Sequence, residues 1–251
     1  MSLDNDIKYW KLDSIWGSAE NMPLHRGMEW LLRKWLLRKG IEALSDKKVL
    51  SGGCASGRIE FHMENIGVKH IQAFDFVPEF VETAKRNASA RNSNAKFFVG
   101  DMRELSCLEN AHFDYAVYLN RMLCFVDDAG FDKSLREIRR TLKQGGLFLF
   151  DALDYNGRKW NELLSFFLKI AWGLQGAKIK PHFLPRVRNK DKRVDLKFWK
   201  TDQNLLYWFT KDELEYKLRQ NGFKILDFAK EADIFTDPKD SIIFYVACEK
   251  C

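Results

Sequence analysis

Residues 47–63 read KKVLSGGCASGRIEFHM, a short apolar strand, a glycine-rich turn and the start of a helix. Gly52, Gly53, Ala55, Ser56 and Gly57 leave the turn almost bare of side chains. Such a backbone accepts unusual dihedrals and lets a ligand approach the main chain, because glycine has no Cβ in the way. A helix opening directly afterwards aims its free N–H groups and the positive end of its dipole at the same point. The combination suits a nucleotide-like cofactor. The dinucleotide pattern G-x-G-x-x-G is absent, since no glycine stands two residues after Gly53.

A second residue sharpens the reading. Asp75 ends the next apolar run, HIQAFD at 70–75, eighteen residues after Gly57. An acid at the end of a second strand, about 20 residues beyond a glycine turn, is placed to accept from ribose hydroxyls. Turn and acid together point to a nucleoside.

At this point the chain resembles the class I S-adenosylmethionine-dependent methyltransferases. Their first motif, V-L-D-x-G-C-G-T-G, is matched by VLSGGCASG at 49–57, and their second-strand motif by AFDFVPEFVETAK from Ala73. The likeness continues through VGDM at 99–102, FDYAVYLN at 113–120, LKQGGLFLFD at 142–151 and YWFTKDELEYKLRQNGFKI at 207–225. It implies S-adenosylmethionine as cofactor and S-adenosylhomocysteine as product. The cofactor-binding residues it implies are Ser51, Gly52, Gly53, Cys54, Ala55, Gly57, Asp75, Phe76, Asp101, Met102, Leu119 and Asn120. Asp101 would accept from the adenine amine, Met102 would pack on the ring, and Cys54 would be a small packing residue.

Two positions depart from the motif. The acid usual at the end of the first strand is Ser51, and the middle glycine of the turn is Ala55. In the family that acid helps hold the polar end of the cofactor, so its loss leaves the amine to another group or to water. A methyl at Ala55 would crowd the turn.

Composition sets the outer bounds. The chain has 251 residues, 46% of them hydrophobic and 14% aromatic, enough for a full core in one domain, 1–251. No stretch approaches the ~18 apolar residues of a membrane span, and the first residues, MSLDNDIKYWKLDS, carry acids where a signal peptide is apolar. The expectation is a cytoplasmic protein. Its five scattered cysteines fit a reducing compartment, and its five histidines have no ligand spacing, so no metal is expected.

The net charge of +6 is unevenly spread: residues 157–200 hold twelve Lys/Arg against three Asp/Glu. This basic segment falls in residues 155–206, which the family motifs do not cover and which read as a lid-like insertion after the fifth strand. Trp160, Leu163, Leu164, Phe167, Ala171 and Leu174 recur at helical spacing there, with Phe166, Leu168, Ile170 and Trp172 on the other sides. A helix apolar nearly all round needs a partner beyond the sheet: a lid contact, a homodimer mate or a membrane surface, or else burial in the insert. A hairpin is expected from Val194 to Phe209 across Thr201–Asn204. The charge suggests an anionic substrate or acidic lipids, with nucleic acid as the rival.

The rest alternates strand and helix. Residues 1–45 supply an N-terminal cap and a helix from Pro23 to Lys39, with Tyr9 and Trp16 as candidates to close over a ligand. Strands follow at 96–99, 113–119 and 147–150, and Thr210-Lys-Asp-Glu213 is a capping box opening a helix that Gly222 stops. Repeated alternation predicts a doubly wound α/β fold with a parallel sheet, its ligands at the carboxyl ends of the strands. The resemblance makes it a Rossmann-like seven-stranded sheet with an antiparallel last strand. Asn120, Arg121, Asp151, Asp154 and Tyr155 then lie near the reacting centre, with Trp16, Arg121, Asp151 and Tyr155 as candidate substrate contacts.

The expected activity is therefore methyl transfer to an O or N atom of a small molecule, an anionic one if the basic segment takes part, with no catalytic residue selected. The rival readings are an RNA or lipid methyltransferase, and a non-catalytic methyltransferase-like scaffold that has lost its first-strand acid. A nucleotide-binding oxidoreductase is disfavoured by the glycine spacing.

Overall fold

The computed structural model describes residues 22–157, 161–174, 183–185, 205–238 and 242–251. Apolar runs become strands β1 (Lys48–Gly52), β2 (His70–Asp75), β3 (Lys96–Val99), β4 (Phe113–Tyr118) and β5 (Leu142–Leu153). Two more, β8 (Phe223–Ala229) and β9 (Ile243–Lys250), complete a seven-stranded sheet in the order β3-β2-β1-β4-β5-β9-β8. The first five strands run parallel, and β9 runs antiparallel to both β5 and β8. The expected fold class is the one observed.

Alternate residues of each strand serve two cores, because successive side chains point to opposite faces. Val49, Ile71, Ala73, Val117, Leu149 and Ala247 face helices α1 (Arg26–Leu36), α2 (Arg58–Asn65) and α3 (Pro78–Arg91). Leu50, Phe74, Ala116, Phe148 and Val246 face α4 (Asp128–Thr141) and α6 (Lys211–Gln220). Burying both faces of a parallel sheet is what makes its strands near-continuous apolar runs.

Helix ends follow local chemistry. Asp127 caps α4 by accepting from the Gly130 N–H, and Gly222, at φ +76°, follows α6. Thr210 caps α6 by accepting from Glu213 N, but the Glu213 carboxylate accepts from the Tyr207 hydroxyl. Half of the expected capping box is thus formed. The first helix starts at Arg26 rather than at Pro23, and passes into a 3₁₀ turn at Leu37–Lys39 before Gly40 at φ +86°.

Within residues 155–206, α5 (Asn161–Gly173) seats Leu164, Leu168 and Ala171 on the core that holds Phe148 and Phe150. Leu163, Phe167 and Leu174, expected on that stripe, are exposed, as are Phe166 and Ile170. A helix apolar all round gives periodicity no means of choosing its inner face. Strand β7 (Leu205–Tyr207) pairs antiparallel with β6 (Phe183–Pro185). The expected hairpin arm at 194–200, its turn at Thr201–Asn204, and Tyr9 and Trp16 lie outside the described residues. A short α7 (Glu231–Ile234) precedes β9.

Candidate active site

In the strand order, β1 lies between β2 and β4, so the connections leave β1 and β4 toward opposite edges of the sheet. The crevice at such a switch point is where open α/β sheets take their ligands. On its β1 side stands the glycine turn. Gly53 and Cys54 donate their N–H groups to the Phe74 carbonyl at 2.8 and 3.0 Å, and Gly57 closes the turn onto the Cys54 carbonyl. Positive φ values at Gly53, Ala55 and Gly57 bend it, and Gly57 is the N-cap of α2. A Cβ on Gly52 would come within 2.8 Å of Met122 Sδ, so the turn is also closely packed from the β4 side. Burial pushes the Cys54 thiol well up, as suits a packing residue.

Asp75 ends β2 and holds this turn. Its Oδ2 accepts from Ala55 N and its Oδ1 from Val77 N, both at 3.0 Å. Burial raises its carboxyl to about 6, although those backbone N–H groups favour the charged form. Phe76, beside it, is half-buried.

The β4 side is built on two consecutive left-handed residues, Asn120 at φ +62° and Arg121 at φ +60°. This conformation is uncommon for a non-glycine residue and costs energy that surrounding contacts must offset. Here Arg121 N donates to the buried Asp151 Oδ1 at 2.6 Å, and the Asn120 side chain accepts from Arg58 Nη2 at 3.1 Å. Arg58 also reaches the Pro23 carbonyl. Its guanidinium is lowered by burial, and the charge of Arg121 adds to this. Two arginines therefore concentrate positive charge where α2 begins, a place suited to a carboxylate or another anion.

The remaining expected residues sit as follows. Met102 is buried in the core, while Asp101 holds Arg103 through both oxygens, the shortest contact being 2.6 Å. Leu119 turns its side chain into the core that faces α1–α3. Tyr155 is partly buried and donates its N–H to the Phe209 carbonyl. Asp154 is tied elsewhere: Lys230 Nζ lies 2.5 Å from its Oδ2.

Two residues went unread in the sequence. Arg58 follows the last glycine, where a cation opposes the helix dipole, so propensity gave no reason to single it out. Glu60 is fully buried, and the Ser51 hydroxyl donates to its Oε1 at 2.5 Å. The available signal was an acid nine residues after a position that should have carried one.

A methyltransferase-domain family model matches residues 49–146, the stretch holding the turn, Glu60, Asp75, Asp101 and Asn120. That match covers less than half of the chain and marks a similarity to the class I S-adenosylmethionine-dependent methyltransferase superfamily. A demethylmenaquinone methyltransferase of Leptospira interrogans is 35% identical over 104 residues, which make 40% of this chain. That match spans 41% of the relative's length. Among solved structures, a protein of Pyrococcus horikoshii has a TM-score of 0.65 at 19% identity, over 97% of this chain and 99% of its own. An S-adenosylmethionine-dependent methyltransferase from Methanosarcina mazei gives 0.65 at 20%, over 84% and 96%. At such identities the likeness is one of fold.

The cofactor of this superfamily is S-adenosylmethionine. The residues around the crevice fit it chemically: carboxylates at Asp75 and Glu60, guanidiniums at Arg58 and Arg121, and a turn stripped of side chains between them. Glu60 Oε2 is buried without a hydrogen-bond partner among the described residues, an acceptor still to be satisfied.

Proposed function

We propose that this chain is a methyltransferase that uses S-adenosylmethionine to methylate an O or N atom of a small molecule. It acts as one domain, with residues 155–206 as a lid-like insertion. The observation that carries the reading is the switch-point crevice, where Asp75 grips the glycine turn at Ala55 N and Arg58 spans to Asn120. Asp75 would take the ribose hydroxyls, Arg58 and the N-terminus of α2 the cofactor carboxylate, and Asp101 with Met102 the adenine. When bound, the cofactor supplies an electrophilic methyl on a positively charged sulfur. The protein has then to align a nucleophile behind that methyl and keep water away. Arg121 is the candidate for orienting an anionic acceptor, and Asp151, through Arg121 N, holds that residue in its strained conformation. Demethylmenaquinone, named for the Leptospira relative, supports a small-molecule acceptor.

A second reading is favoured by one observation. Phe166, Phe167 and Ile170 of α5, with Leu174 just beyond it, leave an exposed apolar surface, which suits a lipid acceptor presented at a membrane. Transfer of a labelled methyl group from S-adenosylmethionine tests both, with hydroxylated and aminated small molecules offered free and the lipid acceptors offered in anionic vesicles. Label in the soluble acceptors, lost in Asp75→Ala, supports the first reading, and label only with vesicles supports the second. Absence of transfer to every acceptor, with no cofactor binding, contradicts both.

A further inference from the structure

The first strand ends in Ser51 where the family carries an acid, so the polar end of the cofactor lacks its usual carboxylate. The structure places another carboxylate directly behind that position. Glu60 lies in the first turns of α2, between the buried Ile59 and Phe61, and is itself fully buried. Its Oε1 accepts from Ser51 Oγ, and Ser51 is buried too. A lone buried carboxylate is costly unless it is paired or protonated. Arg58, the cation on the same helix, donates to the Pro23 carbonyl and to Asn120 instead.

We propose that Glu60 has taken over, from helix α2, the anionic role vacated at Ser51, so that Ser51 and Glu60 together accept the positively charged amino group of the cofactor. This rests on the reading of the crevice as an S-adenosylmethionine site. A serine hydroxyl has one proton and two lone pairs. With its proton donated to Glu60, Ser51 Oγ keeps its lone pairs and becomes an acceptor backed by the Glu60 charge. Glu60 Oε2, without a hydrogen-bond partner among the described residues, is the second acceptor of the same unit.

The arrangement makes binding depend on protonation. Burial raises the Glu60 carboxyl to about 7; Ser51 and the backbone oppose this, the Asp75 charge adds to it, and Arg58 lowers it. Cys54, whose thiol also feels Glu60 and Asp75, stays protonated. Protonated Glu60 is a poor partner for a cation, and ionised Glu60 a good one. Affinity for the cofactor therefore rises with pH through this range, and binding expels a proton. Asp75 titrates nearby with the same sign, so only a comparison with Glu60→Gln isolates the Glu60 contribution.

The test is calorimetric titration with S-adenosylmethionine and S-adenosylhomocysteine between pH 5.5 and 7.5, in buffers of different ionisation enthalpy. Both ligands carry the amino group, and only the first carries the sulfonium. The expected result is that Glu60→Gln weakens both about tenfold or more at pH 7.5, little at pH 5.5, and abolishes most of the proton release. Ser51→Asp combined with Glu60→Gln, which returns the acid to the strand, restores affinity. Ser51→Ala, which removes only the relaying hydroxyl, weakens binding in the same direction and guards against poor folding of the glutamine variant. If wild type binds, Asp75→Ala loses binding and Glu60→Gln binds as wild type at pH 7.5 with unchanged proton release, the inference is overturned while the site stands. If wild type binds neither ligand, both fall.

Discussion

Ser51 at the end of β1 and Glu60 in α2 are joined at 2.5 Å by a buried hydrogen bond, so one carboxylate sits in the core beside the glycine turn. Its stability signature differs from that of a surface acid. Burial raises the carboxyl from 4.5 to about 7, so the folded chain binds this proton more tightly than the unfolded one does. The contribution is complete below about pH 4.5 and is lost as pH rises toward 7, a swing on the order of 3 kcal/mol. Glu60→Gln removes it. Denaturant unfolding across pH 4.5–8 should therefore show the variant gaining on wild type as pH rises, whereas a constant difference contradicts a buried titrating Glu60.

Ala55 sits at φ +45°, a left-handed conformation in which a Cβ is strained. Ala55→Gly, which restores the family residue, should stabilise the fold by roughly 0.5–1 kcal/mol, the relief of strain outweighing the entropy of the freer chain. Thermal melts of the pair read this directly. A lower melting temperature for the glycine variant would show that the strain is absent.

Gly27 in α1 faces Tyr245 of β9, and a Cβ there would lie 2.2 Å from the tyrosine ring. Tyr245 has little room to yield, being fully buried with its hydroxyl 2.9 Å from His25 Nδ1. Gly27→Ala should cost about 2–3 kcal/mol, as overpacking does, and lower the melting temperature by roughly 5–10 °C. An unchanged melt would mean that α1 does not pack on β9 this closely.

The parallel sheet was legible because its residues obey one rule: strands buried on both faces, such as Leu147–Phe150, read as continuous apolar runs between helical patterns. Asp75 and the turn were legible for a similar reason, since the motif fixes both residue type and spacing. Glu60 was not. A single acid between Ile59 and Phe61 reads locally as a solvated helix residue, and only the register of α2 against β1 brings it to Ser51. At Leu119 the motif finds the position, while strand parity decides that its side chain enters the core. The apolar stripe of α5 failed because every side of that helix is greasy, so the core's choice of Leu164, Leu168 and Ala171 is made by tertiary packing.

On the proposed function, the crevice between β1 and β4 binds S-adenosylmethionine with Asp75 as a principal contact. The most direct measurement is calorimetric titration of the wild-type protein and Asp75→Ala with S-adenosylmethionine at pH 7.5. The expected result is a dissociation constant on the order of micromolar for wild type and a loss of roughly 10- to 100-fold in the variant, the size of removing hydrogen bonds to a charged group. No binding by wild type, or equal binding by both proteins, would contradict it.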